Sequence, residues 1–523
     1  MTYLLPHTVL NAAARLPDQT AFKCGSNSLS YIELAEKIHQ LAHLLHDLGL
    51  KKGDRVGIYL NRSIETAIAI HGIMHAGGVY VPLDPKAPAE RTRFLIEDCD
   101  IATLISHRSQ KRNLLKVLAG GTALQHIIGG PEEEEGVQSM AWSTLARQPV
   151  KFQPPFPILE SDLAYIMYTS GSTGRPKGIM HTHASGLAYA RLSADLFGLK
   201  ENDVIGNHAP IFFDISTLGY FTGPLVGGTT VIATDAHTIF PASLAKLIET
   251  ERITVWYSVP LAVVQMLQSG ALTKVDWSAL RWLLYGGEPF PPKYLREIMT
   301  LYPALRCCNV YGPAEVNQCT YYHVPGPPQD ELPVPIGEVW NNTERIILDD
   351  NEEELLGPGT GELAIRSATM MQGYWKQPQL TEHSLYKKEG PGGTKAYFYK
   401  TGDLVRLDEK DVLHFLGRKD HQVKIRGHRV ELDAVEAALV GIPAVLEAAA
   451  FPMQTDGTAL TIAAAVVLRS GEDTDEKALM HALQQKLPVY AIPTTIVILE
   501  DFPRTGSGKI KRSEIKLMLT SKN

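Results

Sequence analysis

Residues 168–178 form a run rich in glycine, hydroxyl and basic side chains, a composition suited to holding an anion. Glycines allow backbone amides to approach the anion, serine and threonine hydroxyls donate hydrogen bonds, and Lys177 adds positive charge. No Gly-Lys-Ser/Thr triplet closes the run before a helix, so it is not a Walker A loop. We therefore predict a triphosphate-binding loop. The alternative is a solvent-exposed Gly/Ser/Thr loop, which explains the order of the residues less well.

The segments around this loop alternate between strand and helix patterns. The loop follows an apolar strand-like run, residues 163–167, and precedes a helix-like segment, residues 186–196. Nearer the N-terminus, apolar residues recur at helical spacing over 31–48 and 64–75, with a short apolar strand-like run, 55–60, between them. Such β-α-β alternation predicts parallel sheets with helices packed on their faces.

The pattern changes after residue 417. A short basic segment is followed by predicted helices at 432–439 and 476–486 and by predicted strands near 448, near 461 and at 494–499. These elements indicate a separate α+β domain of ordinary size. We expect an N-terminal core over residues 1–416, a hinge over 417–420 and a C-terminal domain over 421–523.

The composition excludes several classes of protein. With 44% hydrophobic residues among 523, the chain can bury a sizeable core, and its net charge of -7 provides no general attraction for nucleic acid or an anionic membrane. Five scattered cysteines do not form a disulfide framework, and no Cys/His cluster has zinc-ligand spacing. No signal peptide or apolar stretch of membrane-spanning length is evident. These features predict a cytoplasmic protein that binds neither nucleic acid nor membrane.

Further segments, taken with the loop, resemble the adenylate-forming superfamily, which includes the amino-acid adenylation domains of nonribosomal peptide synthetases, acyl-CoA synthetases and firefly luciferase. The resemblance runs nearly end to end and is carried by residues 76–85, 311–315, 361–363, 399–403, 417–420 and 504–509. It implies an α/β fold with a large N-terminal domain of two parallel-rich sheets packed with helices plus a distorted β-barrel. It also implies a small mobile α+β C-terminal domain, and the use of ATP and Mg²⁺.

The resemblance assigns nucleotide-binding roles to one set of residues. Glu315 would ligate the magnesium ion, because a carboxylate suits that hard cation. Tyr311 would stack on adenine, Asn309 would bind its edge, and Asp403 would accept hydrogen bonds from both ribose hydroxyls. The complete set is Thr169, Ser170, Gly171, Ser172, Thr173, Gly174, Lys177, Gly286, Gly287, Glu288, Asn309, Tyr311, Gly312, Ala314, Asp403 and Arg418.

Lys509 is the predicted catalytic residue. By resemblance it would bridge the substrate carboxylate and the α-phosphate, and so offset negative charge as the carboxylate oxygen attacks phosphorus. Composition alone would make it an ordinary lysine of a basic C-terminal run. Asp420 matches the family's hinge position. Ala314 departs from the family, which usually has threonine there, and we expect this to cost one contact worth ~1 kcal/mol.

The acid to be activated is indicated by Asp214. Amino-acid-specific members of the superfamily carry aspartate at this position for the substrate's α-amino group, and a buried aspartate without a cationic partner is costly. The alternative is an N-cap for the following helix, which the same residue could also provide. The other pocket positions offer no charge to a substrate side chain and are mostly aliphatic: Ile215, Leu218, Tyr257, Leu284, Gly286, Val310, Gln318 and Cys319.

This pocket is similar to that of enzymes that load L-proline onto a carrier protein. Leu218, Leu284 and Val310 would contact the proline ring, whereas Gln318 has no polar partner in proline. A polar analogue therefore stays open as the substrate. No carrier motif of the Leu-Gly-Gly-x-Ser type follows Lys509, so we expect transfer to the phosphopantetheine thiol of a separate carrier protein. A CoA ligase for a small carboxylic acid and a D-alanine–carrier protein ligase are the enzymatic alternatives. A non-catalytic nucleotide-binding relative is the alternative from another class.

Overall fold

The computed structural model describes residues 2–130, 136–169, 171, 175–419, 422–455, 459–472, 474–504 and 511–520. Its strands, numbered in chain order, are β1 (Thr20–Cys24), β2 (Asn27–Ser30), β3 (Arg55–Ile58), β4 (Val79–Pro82), β5 (Thr103–Ile105), β6 (His126–Ile128), β7 (Gln138–Met140), β8 (Leu163–Thr169), β9 (Lys177–Thr182), β10 (Val204–Asn207), β11 (Thr229–Ile232), β12 (Val255–Ser258), β13 (Trp282–Tyr285), β14 (Arg306–Tyr311), β15 (Thr320–His323), β16 (Glu338–Val339), β17 (Thr343–Leu348), β18 (Gly359–Ser367), β19 (Gly373–Tyr374), β20 (Leu385–Glu389), β21 (Lys395–Leu407), β22 (Leu413–Arg418), β23 (Gln422–Ile425), β24 (His428–Glu431), β25 (Val445–Thr455), β26 (Ala459–Leu468) and β27 (Thr495–Leu499).

The α-helices are α1 (Pro6–Arg15), α2 (Tyr31–Asp47), α3 (Ile64–His75), α4 (Ala89–Asp98), α5 (Lys111–Leu118), α6 (His183–Phe197), α7 (Gly223–Val226), α8 (Asp235–Ile239), α9 (Pro241–Thr250), α10 (Pro260–Gln268), α11 (Pro292–Leu301), α12 (Pro378–His383), α13 (Leu432–Val440), α14 (Glu476–Gln484) and α15 (Arg512–Thr520). Within the described ranges, no helix combines the length and the apolar character needed to cross a lipid bilayer.

Two large sheets form most of the fold. The nine-stranded sheet has the order β16-β15-β14-β13-β12-β10-β11-β1-β2, and its strands from β14 to β1 are parallel. The eight-stranded sheet has the order β19-β9-β8-β4-β3-β5-β6-β7, and its strands from β8 to β7 are parallel. This arrangement confirms the predicted α/β fold with parallel-rich sheets.

Helices α2 and α3 pack with strands of both sheets in one apolar cluster, which includes Phe22 of β1, Leu41 of α2 and Ile58 of β3. Helix α2 begins where its sequence provides a reciprocal cap: the Ser30 hydroxyl accepts a hydrogen bond from the Glu33 amide, and the Glu33 carboxylate accepts one from the Ser30 amide. The cap therefore sets where α2 begins, and the shared apolar cluster packs strands of both sheets against the same helices.

The predicted phosphate-binding loop connects two antiparallel strands. In the β8–β9 pair, Thr169 lies opposite Lys177, so the loop is the turn of a hairpin. Helix α6 follows only after β9, a strand that the sequence pattern did not reveal. The pairing holds the two ends of the loop together and directs both toward the same edge of the sheet.

A five-stranded antiparallel sheet lies where the resemblance implies a distorted barrel. Its order is β17-β18-β21-β20, and β22 also pairs with β21. The predicted hinge begins at residue 417, but Gly417 and Arg418 lie in β22, opposite Leu404 and Asp403 of β21. The ion pair between Arg418 and Asp403 holds this end of β22 in the sheet. Asp420 lies outside the described residues.

The chain after β22 forms its own small sheets. Strands β23 and β24 make a two-stranded hairpin, and β25, β26 and β27 make a three-stranded sheet that shares an apolar cluster with α13 and α14. The hairpin meets the rest of the molecule at its turn: a Cβ added to Gly427 would lie 2.3 Å from Val259, and the His428 ring contacts Phe213 at 4.6 Å between centroids. The hairpin therefore closes over the edge of the nine-stranded sheet.

Candidate active site

A cavity of about 110 Å³ lies between the hairpin β23–β24 and the carboxyl ends of β12, β13 and β14. Ligands of open parallel sheets bind at this edge, because the loops that follow the strands converge there. The structure brings ten of the predicted residues to the wall of this cavity: Thr169, Asp214, Ile215, Tyr257, Gly287, Val310, Gly312, Ala314, Asp403 and Arg418.

Asp214 stands at one end of the cavity, in a short 3₁₀ turn over residues 214–216. Its Oδ1 accepts a hydrogen bond of 2.9 Å from the Ile215 amide, whereas the N-cap position belongs to Phe213. Burial raises the pKa of the Asp214 carboxyl to about 6, and Lys424 on the hairpin opposes part of that rise. The carboxylate thus stands in apolar surroundings that favour a cationic ligand.

The predicted pocket residues around Asp214 pack together. Ile215, Leu218, Tyr257, Leu284 and Val310 belong to one apolar cluster, in which Leu218 and Leu284 lie behind the cavity wall. This cluster makes the space next to Asp214 small and mostly apolar.

Gln318 and Gly286 complete this pocket in different ways. The Gln318 amide donates a hydrogen bond of 2.5 Å to the Tyr257 hydroxyl, so its polar partner belongs to the protein. A Cβ added to Gly286 would lie 2.2 Å from the Val310 carbonyl oxygen and 3.3 Å from the Tyr257 hydroxyl. Only glycine fits at residue 286. Cys319 lies apart from this pocket, with its thiol 3.6 Å from the Tyr311 carbonyl oxygen, in the apolar cluster of the antiparallel sheet.

Asp403 is buried at the opposite end of the cavity. Its Oδ1 accepts a hydrogen bond of 2.8 Å from Arg418, and its Oδ2 accepts one from the Tyr311 hydroxyl. The Lys424 ammonium lies 5.9 Å from the centre of the Tyr311 ring. Each oxygen of a carboxylate can accept a second hydrogen bond, so Asp403 is suited to binding a pair of hydroxyl groups, the chemistry that a ribose presents.

The remaining residues predicted near adenine lie around this end. The Asn309 amide donates a hydrogen bond of 2.8 Å to the Pro335 carbonyl. Glu288 accepts one of 3.1 Å from the Leu261 amide, so its carboxylate stabilises the first turn of α10. Gly287 and Gly312 line the cavity directly, where the absence of a side chain leaves room for a flat ring.

Glu315 is the most enclosed acid of the site, with a side chain that is 0% exposed. Its carboxylate accepts hydrogen bonds from Arg429 at 2.9 and 3.0 Å and from the Tyr374 hydroxyl at 2.8 Å, and Lys177 lies 3.2 Å away. Burial alone would raise the pKa of Glu315, but Arg429 and Lys177 hold it well below its usual value. The group is therefore a permanently ionised carboxylate.

This carboxylate fits a magnesium ion. Among the described residues, no cluster of three or more His, Cys, Asp or Glu side chains could hold a metal ion. Magnesium is commonly bound through one or two carboxylates, with substrate phosphates and water as the other ligands. Glu315 beside Lys177 and the phosphate loop satisfies that pattern.

The structure leaves several of the predicted site residues undescribed. Ser170, Ser172, Thr173 and Gly174 of the phosphate loop, the predicted catalytic Lys509 and the predicted hinge residue Asp420 lie outside the described residues. Gly171 is described, and a Cβ there would lie 2.3 Å from the Arg175 carbonyl oxygen. The loop therefore needs glycine at this position for its backbone to turn.

The sequence did not reveal Arg429 and Tyr374 as members of the site. Arg429 follows a short segment in which apolar and basic residues alternate, Val423 to His428. That pattern was a usable signal, because it predicts a strand with one basic face. Tyr374 carries no comparable signal: a two-residue strand, β19, places it beside Glu315.

Known proteins share features of this sequence over nearly its whole length. The profile of the AMP-binding enzyme family matches residues 9–375, and that of the AMP-binding enzyme C-terminal domain matches residues 434–509. An L-proline–[L-prolyl-carrier protein] ligase of Pseudomonas fluorescens is 31% identical over 510 residues, which cover 97% of this chain and 98% of the relative. A protein of the same name from Streptomyces coelicolor is 32% identical over 506 residues, covering 93% and 91% of the two chains.

A solved structure shows the same fold. The amide bond synthetase McbA of Marinactinospora thermotolerans superposes with a TM-score of 0.87 at 23% identity, covering 98% of this chain and 99% of the other. The agreement extends over both the large sheets and the C-terminal elements.

Proposed function

We propose that this chain, which belongs to the AMP-binding enzyme family, activates a small amino acid as its aminoacyl-adenylate and passes it to the phosphopantetheine thiol of a carrier protein. L-Proline is the substrate that we favour. The observation that carries the proposal is the Asp214 carboxylate, which stands in the small apolar part of a cavity that Asp403 also lines.

The position of Asp214 selects for an amino group. Its pKa of about 6 leaves it ionised at neutral pH, in surroundings that make an isolated charge costly. A substrate ammonium would supply a positive charge next to Asp214 and would donate hydrogen bonds to its carboxylate. A carboxylic acid without an amino group would leave Asp214 unsatisfied, which disfavours the CoA-ligase alternative.

The shape of the pocket supports a small apolar side chain. Ile215 and Val310 supply aliphatic surface to the cavity, and Leu218 and Leu284 pack behind that wall, an arrangement that suits the ring of proline. Gln318 does not require a polar substrate, because its amide is bonded to Tyr257. The two relatives named as L-prolyl-carrier protein ligases match this chain over nearly their whole length, and they support proline as the first substrate to test.

In the first half-reaction, a carboxylate oxygen of the amino acid attacks the α-phosphorus of ATP. The bond from that phosphorus to the bridging oxygen breaks, and pyrophosphate leaves. Asp214 would hold the ammonium, Asp403 the ribose, and Lys177 with the phosphate loop the triphosphate. Lys509 would offset the charge that develops on the α-phosphate. When bound at Glu315, magnesium would neutralise charge on the phosphate oxygens.

In the second half-reaction, the thiol sulfur attacks the carbonyl carbon of the adenylate. The bond from that carbon to the phosphate oxygen breaks, AMP leaves with the electron pair, and the thiol proton passes to solvent. A second cavity, of about 390 Å³, joins the first at Phe213, Gly427 and His428 and is continued by Val259 and Tyr490. We propose that the thiol arm reaches the adenylate through it.

The test is amino-acid-dependent ATP–pyrophosphate exchange with purified protein and magnesium, using the common amino acids, D-alanine and several simple carboxylic acids. Strong exchange with L-proline supports the proposal, as does transfer of [¹⁴C]proline to a phosphopantetheinylated carrier. Preference for a carboxylic acid without an amino group would replace it with the CoA-ligase function. Preference for D-alanine would retain amino-acid activation but change the substrate.

A further inference from the structure

Asn317 is a buried polar residue of the site that has no role in the account so far. It lies in the loop between β14 and β15, lines the same cavity as Asp214 and is 2% exposed. Its backbone is left-handed, with a φ of 56°, a conformation that asparagine adopts more readily than most residues. The loop therefore places a small amide in the wall of the cavity in which we expect the amino acid.

Hydrogen bonds in this wall decide which atom of the Asn317 amide is left without a partner. The Thr217 hydroxyl donates its proton to the Asp214 carbonyl oxygen at 2.5 Å, so toward other groups it can only accept. The Asn317 amide nitrogen donates to this hydroxyl at 3.4 Å. Asn317 Oδ1 is buried and has no hydrogen-bond partner among the residues that the structure describes.

The surroundings of Tyr165 indicate that Asn317 and Asp214 are close to each other. Burial and the charge of Asp214 raise the pKa of the Tyr165 hydroxyl, and the Asn317 amide opposes that rise. The two residues are also connected through Thr217. An amide oxygen without a donor thus lies near a carboxylate without a cation. Leaving a buried acceptor unsatisfied is costly, so a ligand that brings both a charge and several N–H groups fits this pair.

We propose that Asn317 Oδ1 accepts one hydrogen of the substrate's ammonium group while Asp214 accepts another. The inference deepens the proposed function and rests on it, because it requires an amino acid in this cavity. The secondary ammonium of proline carries two N–H donors, which match one charged and one neutral acceptor. Asn317 is therefore a substrate-binding residue that makes the enzyme sensitive to the number of N–H groups, in addition to the charge that Asp214 recognises.

Three acids with the same ring size separate the two acceptors. L-Proline has two N–H donors, N-methyl-L-proline has one, and cyclopentanecarboxylic acid has none. The kcat/KM of ATP–pyrophosphate exchange is measured for each acid with wild type and with Asn317→Gly, which removes the amide and accepts the left-handed backbone. We expect the variant to lose roughly tenfold with L-proline, because a hydrogen bond from a charged donor is lost. With the other two acids it should change by less than about threefold.

Asn342→Gly is the matched control. Asn342 is exposed and is also left-handed, with a φ of 59°, so the variant makes the same backbone change away from the cavity. It should leave exchange with all three acids unchanged. Thermal unfolding and the KM for ATP are measured for both variants, and neither should differ between them. A general loss of structure in Asn317→Gly would instead raise the KM for ATP and lower exchange with every acid.

Asn317→Asp is the second variant, because it keeps an oxygen acceptor and also tolerates the left-handed backbone. We expect its KM for L-proline to stay within about threefold of wild type at pH 8. On acidification, the KM should begin to rise at a higher pH than in wild type, since a second carboxylate beside Asp214 raises the pKa of the pair. A purely structural role of Asn317 would not shift this pH profile, and an unshifted profile would place the residue away from the ammonium.

Two results would overturn the inference while the proposed function stands. Unchanged exchange with L-proline in Asn317→Gly would show that the amide makes no contact with the ammonium. A gain with N-methyl-L-proline, without a loss with L-proline, would show that Asn317 acts by its size. If wild type prefers another amino acid, that acid and its N,N-dimethyl derivative replace the proline pair. If wild type activates no amino acid, the proposed function and this inference are both wrong.

Discussion

The carboxylates at the two ends of the active-site region differ in their hydrogen-bond partners. Glu315 and Asp403, where the nucleotide is expected, are enclosed and bonded to arginines of the protein itself, Arg429 and Arg418. Asp214, where the amino acid is expected, has a raised pKa and accepts a hydrogen bond from the neighbouring amide of Ile215. The nucleotide end is thus electrostatically balanced before substrate binds, whereas the amino-acid end obtains its balance from the substrate. We expect selectivity for an amine from that difference.

Glu315→Gln should have the largest effect on stability and activity. The change leaves Arg429 and Lys177 buried beside a neutral amide, and removing one partner of a buried ion pair typically costs ~3–5 kcal/mol of unfolding free energy. We expect that loss in chemical denaturation, together with a fall of roughly 100-fold in magnesium-dependent exchange, the equivalent of ~2.7 kcal/mol. Glu344→Gln, which removes an exposed pair with Arg366, should change neither. An unaltered stability for Glu315→Gln would contradict the paired state described here.

Asp214→Asn should give the opposite division of effects. The unfolding free energy should stay the same or rise, because an ionised group in apolar surroundings is removed. The KM for the amino acid should increase roughly 10- to 100-fold, since a charge-assisted hydrogen bond is worth ~1.5–3 kcal/mol, while the KM for ATP stays unchanged. A variant that lost stability and ATP affinity together would show that Asp214 supports the fold and not the substrate.

Amino-acid binding should depend on pH through Asp214. The pKa of Asp214 is raised to about 6, so the free enzyme carries the anion above that pH and the neutral acid below it. The apparent KM for proline should therefore rise on acidification, by roughly tenfold per pH unit below 6. For the same reason, Asp214 disfavours folding above pH 6 and loses that effect as the pH falls through 6. The control is the KM for ATP, measured over the same pH range. It should not rise on acidification, because the pKa of Glu315 is held low.

The smallest expected effect concerns the polar pair behind the pocket. Tyr257→Phe leaves the Gln318 amide without its 2.5 Å acceptor, and we expect a loss of ~1 kcal/mol of stability and a change below tenfold in the KM for proline. In a double-mutant cycle with Gln318→Leu, a coupling of ~1 kcal/mol would locate the interaction between these two residues. A coupling near zero, with a large effect of Gln318→Leu on KM alone, would mean that Gln318 contacts the substrate.

Much of the fold could be predicted from the sequence, because its signals are local. The alternation over residues 31–75 and the apolar run before the phosphate loop predicted parallel sheets, and α2, β3 and α3 lie close to the predicted ranges. Strand β9 was missed because its burial comes from pairing with β8, which no short-range pattern records. The division into a core over 1–416 and a hinge over 417–420 stays a prediction, and the first two hinge residues lie in β22, where Arg418 pairs with Asp403.

The site was predictable only where a residue type and a motif coincide. Asp214, Asp403 and Glu315 stand in recognisable segments, whereas Arg429 lies 114 residues from Glu315 along the chain and meets it only through the placement of the hairpin. The hydrogen bond between Gln318 and Tyr257 joins residues 61 positions apart, so the polar partner of Gln318 could not be found from the sequence. That Cys319 lies apart from the pocket could not be found from the sequence either, because it depends on how the chain turns back along β14.

One pair of ligands tests the central claim, that Asp214 selects a substrate by its ammonium group. ATP–pyrophosphate exchange is measured with L-proline and with cyclopentanecarboxylic acid, which keeps the ring and the carboxylate but has no amine. We predict strong exchange with L-proline and a signal at least 100-fold weaker with the analogue. Comparable exchange with the two compounds would show that the enzyme activates the carboxylate without reference to the amine, and would contradict the role given to Asp214.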